Sequence, residues 1–118
     1  MKAALLISHG SRFAETKKEV KRLVRALKAQ SRLDVFEFAF LELEEPSIPE
    51  GIDICVQKGA TEIVILFNFL NSGRHVDRDI PEIIEKARKR HPHIPIKVTP
   101  PVGQHKKIAE LFLEMLMR

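Results

Sequence analysis

The chain has 118 residues, 44% of them hydrophobic and 31% charged, with a formal net charge of +4 and a single cysteine, Cys55. This is the composition of one globular domain, 1–118; it excludes a disordered or fibrous chain, an intrachain disulfide framework and a CxxC redox or zinc motif. No run approaches the roughly 20 apolar residues of a membrane helix, and the lack of Trp and Tyr argues against nucleic acid as a partner.

In chain order, the apolar run Ala3 to Ile7 is too short for the core of a signal peptide and predicts a first strand, which makes a cytoplasmic location the expectation. A polar Ser8-His9-Gly10-Ser11-Arg12 turn follows. Val20, Leu23, Val24 and Leu27 then recur at i, i+3, i+4 and i+7, the mark of an amphipathic helix. Val35 to Leu41 predicts a second strand, closed by the acids Glu42, Glu44 and Glu45. Ser47 with Glu50 makes a capping-box pattern, and Gly59 suits the C′ position, so a second helix lies between them.

Glu62 to Leu70 is nearly continuous in apolar residues, as expected of a parallel strand covered on both faces, and predicts the centre of a sheet. Asp79 as N-cap, Pro81 in the first turn and Glu82 at N3 open a third helix that stops before Pro92. Ile94 to Val98 predicts the fourth strand. Ile108, Leu111, Phe112 and Met115 mark the apolar face of a last helix.

The order βαβαβαβα predicts an α/β fold: a four-stranded parallel sheet with helices on both faces, a flavodoxin-like or chelatase-type half. Right-handed crossovers favour strand order 2-1-3-4, with a ligand site beyond the carboxyl ends of neighbouring strands 1 and 3.

Three candidate ligands fall at that edge: His9 after strand 1, Glu42 after strand 2 and His75 in the loop after strand 3. Two imidazoles and a carboxylate suit Co²⁺, Ni²⁺, Fe²⁺ or Zn²⁺. The amides of Gly10 and Ser11 precede the first helix and could cradle an anion. Alternatives stay open at this level: a hydrogen-bonding turn for His9, a surface loop for His75, a solvated acid for Glu42. His91, His93 and His105 read as surface or capping residues. Basic residues crowd 17–32 and 88–90, as a solvated helix face or as an attractor of a polyanion.

Taken together, Leu5-Leu6-Ile7-Ser8-His9-Gly10-Ser11-Arg12, the stretch Phe40-Leu41-Glu42-Leu43-Glu44-Glu45-Pro46-Ser47-Ile48, the stretch Phe69 to Pro81 with Gly73-Arg74-His75, and Pro100-Pro101-Val102-Gly103-Gln104-His105 resemble the short CbiX-type sirohydrochlorin chelatases of class II. The resemblance covers nearly the whole chain. It departs at Asn71-Ser72, where many relatives carry other residues.

The resemblance implies an enzyme, a sirohydrochlorin cobaltochelatase of cobalamin or related tetrapyrrole biosynthesis, that inserts Co²⁺ with release of two protons. It implies His9 and His75 as metal-binding and proton-accepting residues, with Glu42 as the acid beside them. Ser11, Arg12, Gly73, Arg74 and Arg78 are then the candidates for holding the carboxylate-rich ring. No permanently bound cofactor is expected, since the metal is a substrate, and the short form implies a homodimer. Nickel or iron insertion and a non-catalytic metal or tetrapyrrole carrier are the rival readings.

Overall fold

The computed structural model describes residues 1–71, 73 and 78–117. Its elements are β1 (Lys2–Ser8), α1 (Ala14–Ser31), β2 (Val35–Phe40), α2 (Ile48–Gln57), β3 (Glu62–Phe67), α3 (Ile80–Arg90), β4 (Ile96–Pro101) and α4 (Ile108–Leu116), with a short 3-10 turn at Val102–Gln104. All strand pairs are parallel and the order is β2-β1-β3-β4. The alternation of strand and helix thus produces the expected sheet. Among the described residues no helix is long and apolar enough to cross a membrane.

Side chains alternate across the sheet, so each strand feeds two layers. Ala3, Leu5 and Ile7 of β1 meet Ile48, Ile52 and Cys55 of α2 and Ile80, Ile84 and Ala87 of α3 in one core. Ala4 and Leu6 point the other way, into a smaller core with Val20 and Val24 of α1 and Phe36 and Phe40 of β2. The result is α2 and α3 on one face and α1 on the other.

The capping box forms as its residues predict: the Ser47 hydroxyl accepts from the Glu50 amide and the Glu50 carboxylate accepts from the Ser47 amide. Gly59 takes a positive φ of 99° just past α2, the backbone conformation that ends a helix there. At Asp79 the outcome differs. It precedes α3, but in a helical conformation and without a side-chain capping bond.

Two further differences concern the sheet. β4 runs Ile96–Pro101, later than the apolar run alone implies. It lies at the edge and pairs only with β3, so Pro100 and Pro101 cost it little. The strand buried on both faces is β1, whereas β3 alternates between buried Ile63, Ile65 and Phe67 and half-buried Val64 and Leu66. The cause is α4, which forms where its periodicity predicts but leaves Leu111, Phe112 and Met115 exposed rather than covering β3.

Between α2 and α3, Asp53 Oδ1 accepts from His91 Nε2 and Arg90 Nη2, both at 2.9 Å. The bond from His91 foremost, and that from Arg90, hold the Asp53 carboxyl below the usual aspartate range against partial desolvation. A depressed folded-state pKa contributes stability above the unfolded pKa, and the contribution is lost as pH falls through the folded value. Asp53→Asn should therefore cost at most about 1 kcal/mol near neutrality, as for other half-exposed pairs. Thermal unfolding should show the gap to the parent chain closing in acid. A gap that persists there would mean that charge is not its source.

Candidate site at the carboxyl edge of the sheet

Four loops meet beyond the carboxyl ends of the strands. The chain leaves β1 at buried Ser8, whose hydroxyl accepts a 3.1 Å hydrogen bond from Asn68 Nδ2 at the end of β3. The Asn68 amide donates to the Ile7 carbonyl at 2.8 Å, which carries the β1–β3 ladder past the last strand residue. Leu41 and Glu42 donate to the carbonyls of Ser8 and His9 at 2.9 and 3.0 Å, fixing the loop after β2 to the loop after β1. After β4, the Gly103 amide donates to the Phe69 carbonyl at 3.0 Å, and a Cβ on Gly103 would lie 1.8 Å from the Leu70 oxygen.

Gly10 makes an equally close contact. Its φ is 97°, and a Cβ there would lie 1.8 Å from the Glu42 carbonyl oxygen. Only glycine allows both the backbone conformation and the approach. Beyond it the Ser11 amide donates to Glu44 Oε2 at 2.9 Å, and Lys17 Nζ donates to the Glu45 carbonyl at 2.7 Å.

His9 is exposed at the centre of this ring of loops, its imidazole 4.3 Å from the Phe69 ring at an interplanar angle of 44°. Among the described residues this ring contact is the one recorded for the imidazole. Together with Ser8, Gly10, Glu19 and Asn68 it lines a cavity of about 320 Å³. The hydroxyl of Ser8, largely buried, is engaged by Asn68.

The sequence candidates separate at this point. His9 and Glu42 are joined through the backbone, and both side chains are exposed. Arg12, after β1, and Gly73 and Arg78, between β3 and α3, are exposed. The Ser11 amide, offered by the sequence to an external anion, is already held by an internal one, Glu44. His75 and Arg74 lie outside the described residues, and among the described residues no three His, Cys, Asp or Glu side chains converge as a metal set. His91 bonds Asp53, and His105 Nδ1 accepts from the Lys107 amide at 3.0 Å, so both are structural.

Four residues of the site escape sequence reasoning: Glu19, Glu44, Asn68 and Phe69. Glu19 sits among the charges of an amphipathic helix and Asn68 within an apolar run, so neither stands out. The position of Asn68 and Phe69 just past the strand next to β1 is the one signal that could have found them.

A family model described as CbiX matches residues 3–118. A sirohydrochlorin ferrochelatase of Bacillus subtilis is 35% identical over 111 residues, covering 93% of this chain and 42% of that protein. A sirohydrochlorin cobaltochelatase of Methanococcus maripaludis is 36% identical over 84 residues, covering 71% of this chain and 58% of that protein. Among solved structures, the sirohydrochlorin chelatase SirB of Bacillus subtilis subspecies spizizenii in complex with cobalt superposes with a TM-score of 0.87 at 34% identity, over 98% of this chain and 50% of that one. The chain thus spans about half the length of several of its relatives.

Proposed function

The chain belongs to the CbiX family, and from that premise we propose that it is a sirohydrochlorin chelatase, moving Co²⁺ into the tetrapyrrole with release of the two N–H protons of the ring. The observation that carries this reading is His9: an exposed imidazole, against the Phe69 ring, lining a cavity at the carboxyl edge of the sheet. An imidazole can take a proton near neutral pH and can hold a borderline cation while the ion sheds water. His75 takes the partner role that the family resemblance gives it. Glu42 is the acid assigned to offset cation charge, while Glu44 serves the loop by binding the Ser11 amide.

Relatives of both names support the chelatase reading, and cobalt follows the short cobaltochelatases, of which this chain covers the larger share. An anaerobic assay of sirohydrochlorin with Co²⁺, Ni²⁺ and Fe²⁺ in turn, followed by the absorption change on insertion, tests both levels. Turnover of many equivalents with Co²⁺ fastest is expected. Faster insertion of Fe²⁺ or Ni²⁺ would reassign the metal, and stoichiometric binding without turnover would make the protein a carrier.

Sirohydrochlorin carries eight carboxylates, so Arg12 and Arg78 at the rim and the basic face of α1 should draw it in. Raising salt to about 0.5 M shrinks the screening length to a few ångströms. KM for the tetrapyrrole should then rise by more than kcat falls. An unchanged KM would leave these cations a solubilising role only.

A further inference from the structure

Chelation sets opposite electrostatic demands on one surface. A carboxylate-rich ring is drawn in by cations, and the same cations repel a divalent metal ion. The conflict is sharpest at α1, which carries six Lys or Arg against two acids, Glu15 and Glu19. The two acids are used differently. Glu15 holds Lys18 at 3.2 Å in an exposed pair. Glu19 makes no ion pair among the described residues, although Arg22 stands three positions on, at the spacing where such pairs form.

Glu19 stands instead in the wall of the His9 cavity. Buried Val20 pins this turn of α1 to the small core with Leu6 and Phe40. The inward stripe of Leu27, Val24, Leu23 and Val20 then continues toward the start of the helix as Glu19 and Thr16, so the wall turns from apolar to polar at the cavity that His9 lines. Among the described residues around this cavity of about 320 Å³, Glu19 carries the one carboxylate. Glu42 bonds His9 through the backbone but is not part of the wall.

We propose that Glu19 collects the divalent metal ion for His9, holding the hydrated ion in this cavity by charge before the imidazole replaces one of its waters. This deepens the chelatase reading and rests on it for the identity of the ion. A hydrated ion needs no full ligand set, and among the described residues none is present. It needs a counter-charge and room for its shell. Six waters at about 30 Å³ each come to roughly 180 Å³, which the cavity accommodates. The basic face of α1 is then left to the ring, and the single carboxylate in the wall to the metal.

With Co²⁺ varied at saturating sirohydrochlorin, Glu19→Gln should raise KM for the metal about tenfold, the scale of one carboxylate acting on a dication across water, while kcat stays within about twofold. Glu19 is exposed, so the fold should not suffer. KM for the tetrapyrrole should be unchanged or lowered. Glu19→Asp keeps the charge and should recover most of the loss, and salt at about 0.5 M should shrink the deficit of the glutamine variant. Glu15→Gln is the control and should change none of these values, because Glu15 lies outside the cavity and is paired with Lys18. Calorimetric titration with Co²⁺ alone should show the same tenfold weakening in Glu19→Gln, a result that does not require turnover. Weakened Co²⁺ binding in a protein that inserts no metal would end the chelatase reading and keep Glu19 as the collecting residue. Unchanged metal KM and unchanged Co²⁺ affinity in Glu19→Gln would overturn the proposal. A fall in kcat with the metal KM intact would overturn it too, by moving Glu19 from collection to the chemical step.

Discussion

Replacing His9 by alanine is expected to lower kcat for metal insertion about 100-fold, the scale on which a positioned proton acceptor acts. Folding should not suffer, because the imidazole is exposed and its described contact is the Phe69 ring. The Phe69 side chain is buried in its own right and keeps its place when the imidazole goes. His9→Gln, which keeps hydrogen-bonding capacity but cannot take up a proton near neutrality, should recover little of the loss. Tetrapyrrole affinity should change far less than kcat. Glu42→Gln should lower kcat with affinity intact or slightly improved, since it removes a negative charge facing a polyanion. Steady-state kinetics on the three variants separate the roles. Wild-type turnover in all of them would remove His9 and Glu42 from the reaction.

Gly10→Ala should be the most damaging single-methyl change. The φ of 97° costs an alanine about 1–2 kcal/mol. The methyl would also lie 1.8 Å from the Glu42 carbonyl oxygen, so the loops after β1 and β2 must separate. That separation strains the Glu42-to-His9 backbone bond and the Ser11–Glu44 bond, and it moves His9 off Phe69. A total of about 3 kcal/mol corresponds to a fall in Tm on the order of 10 °C for a chain of this size. Gly59→Ala is the matched control, because its φ is 99° and nothing lies within 4 Å of the added carbon. It should show the backbone cost alone, about 1–2 kcal/mol. Equal effects at the two positions would mean that the contact with Glu42 does not bind the loops together.

Much of this molecule is written locally, and that part was legible. Hydrophobic period, the Ser47–Glu50 box and the glycine after α2 depend on neighbours a few residues apart. They place eight elements, and the right-handedness of crossovers then leaves few topologies beyond β2-β1-β3-β4. His9 and Glu42 could be placed at the carboxyl edge of the sheet because strand ends can be counted from periodicity alone.

What the sequence could not determine involves groups brought together from distant positions. Asn68 reaches Ser8 across 60 residues, and Glu44 reaches the Ser11 amide across 33. Nothing in either side chain's local pattern records such a partner. An apolar stripe on a helix says that a face is to be covered but not by what, and the last helix shows the difference. Its periodicity predicted the helix correctly, yet only the tertiary structure revealed that α4 leaves its own sheet open, because burial depends on which surfaces meet and not on the order of residues within one of them.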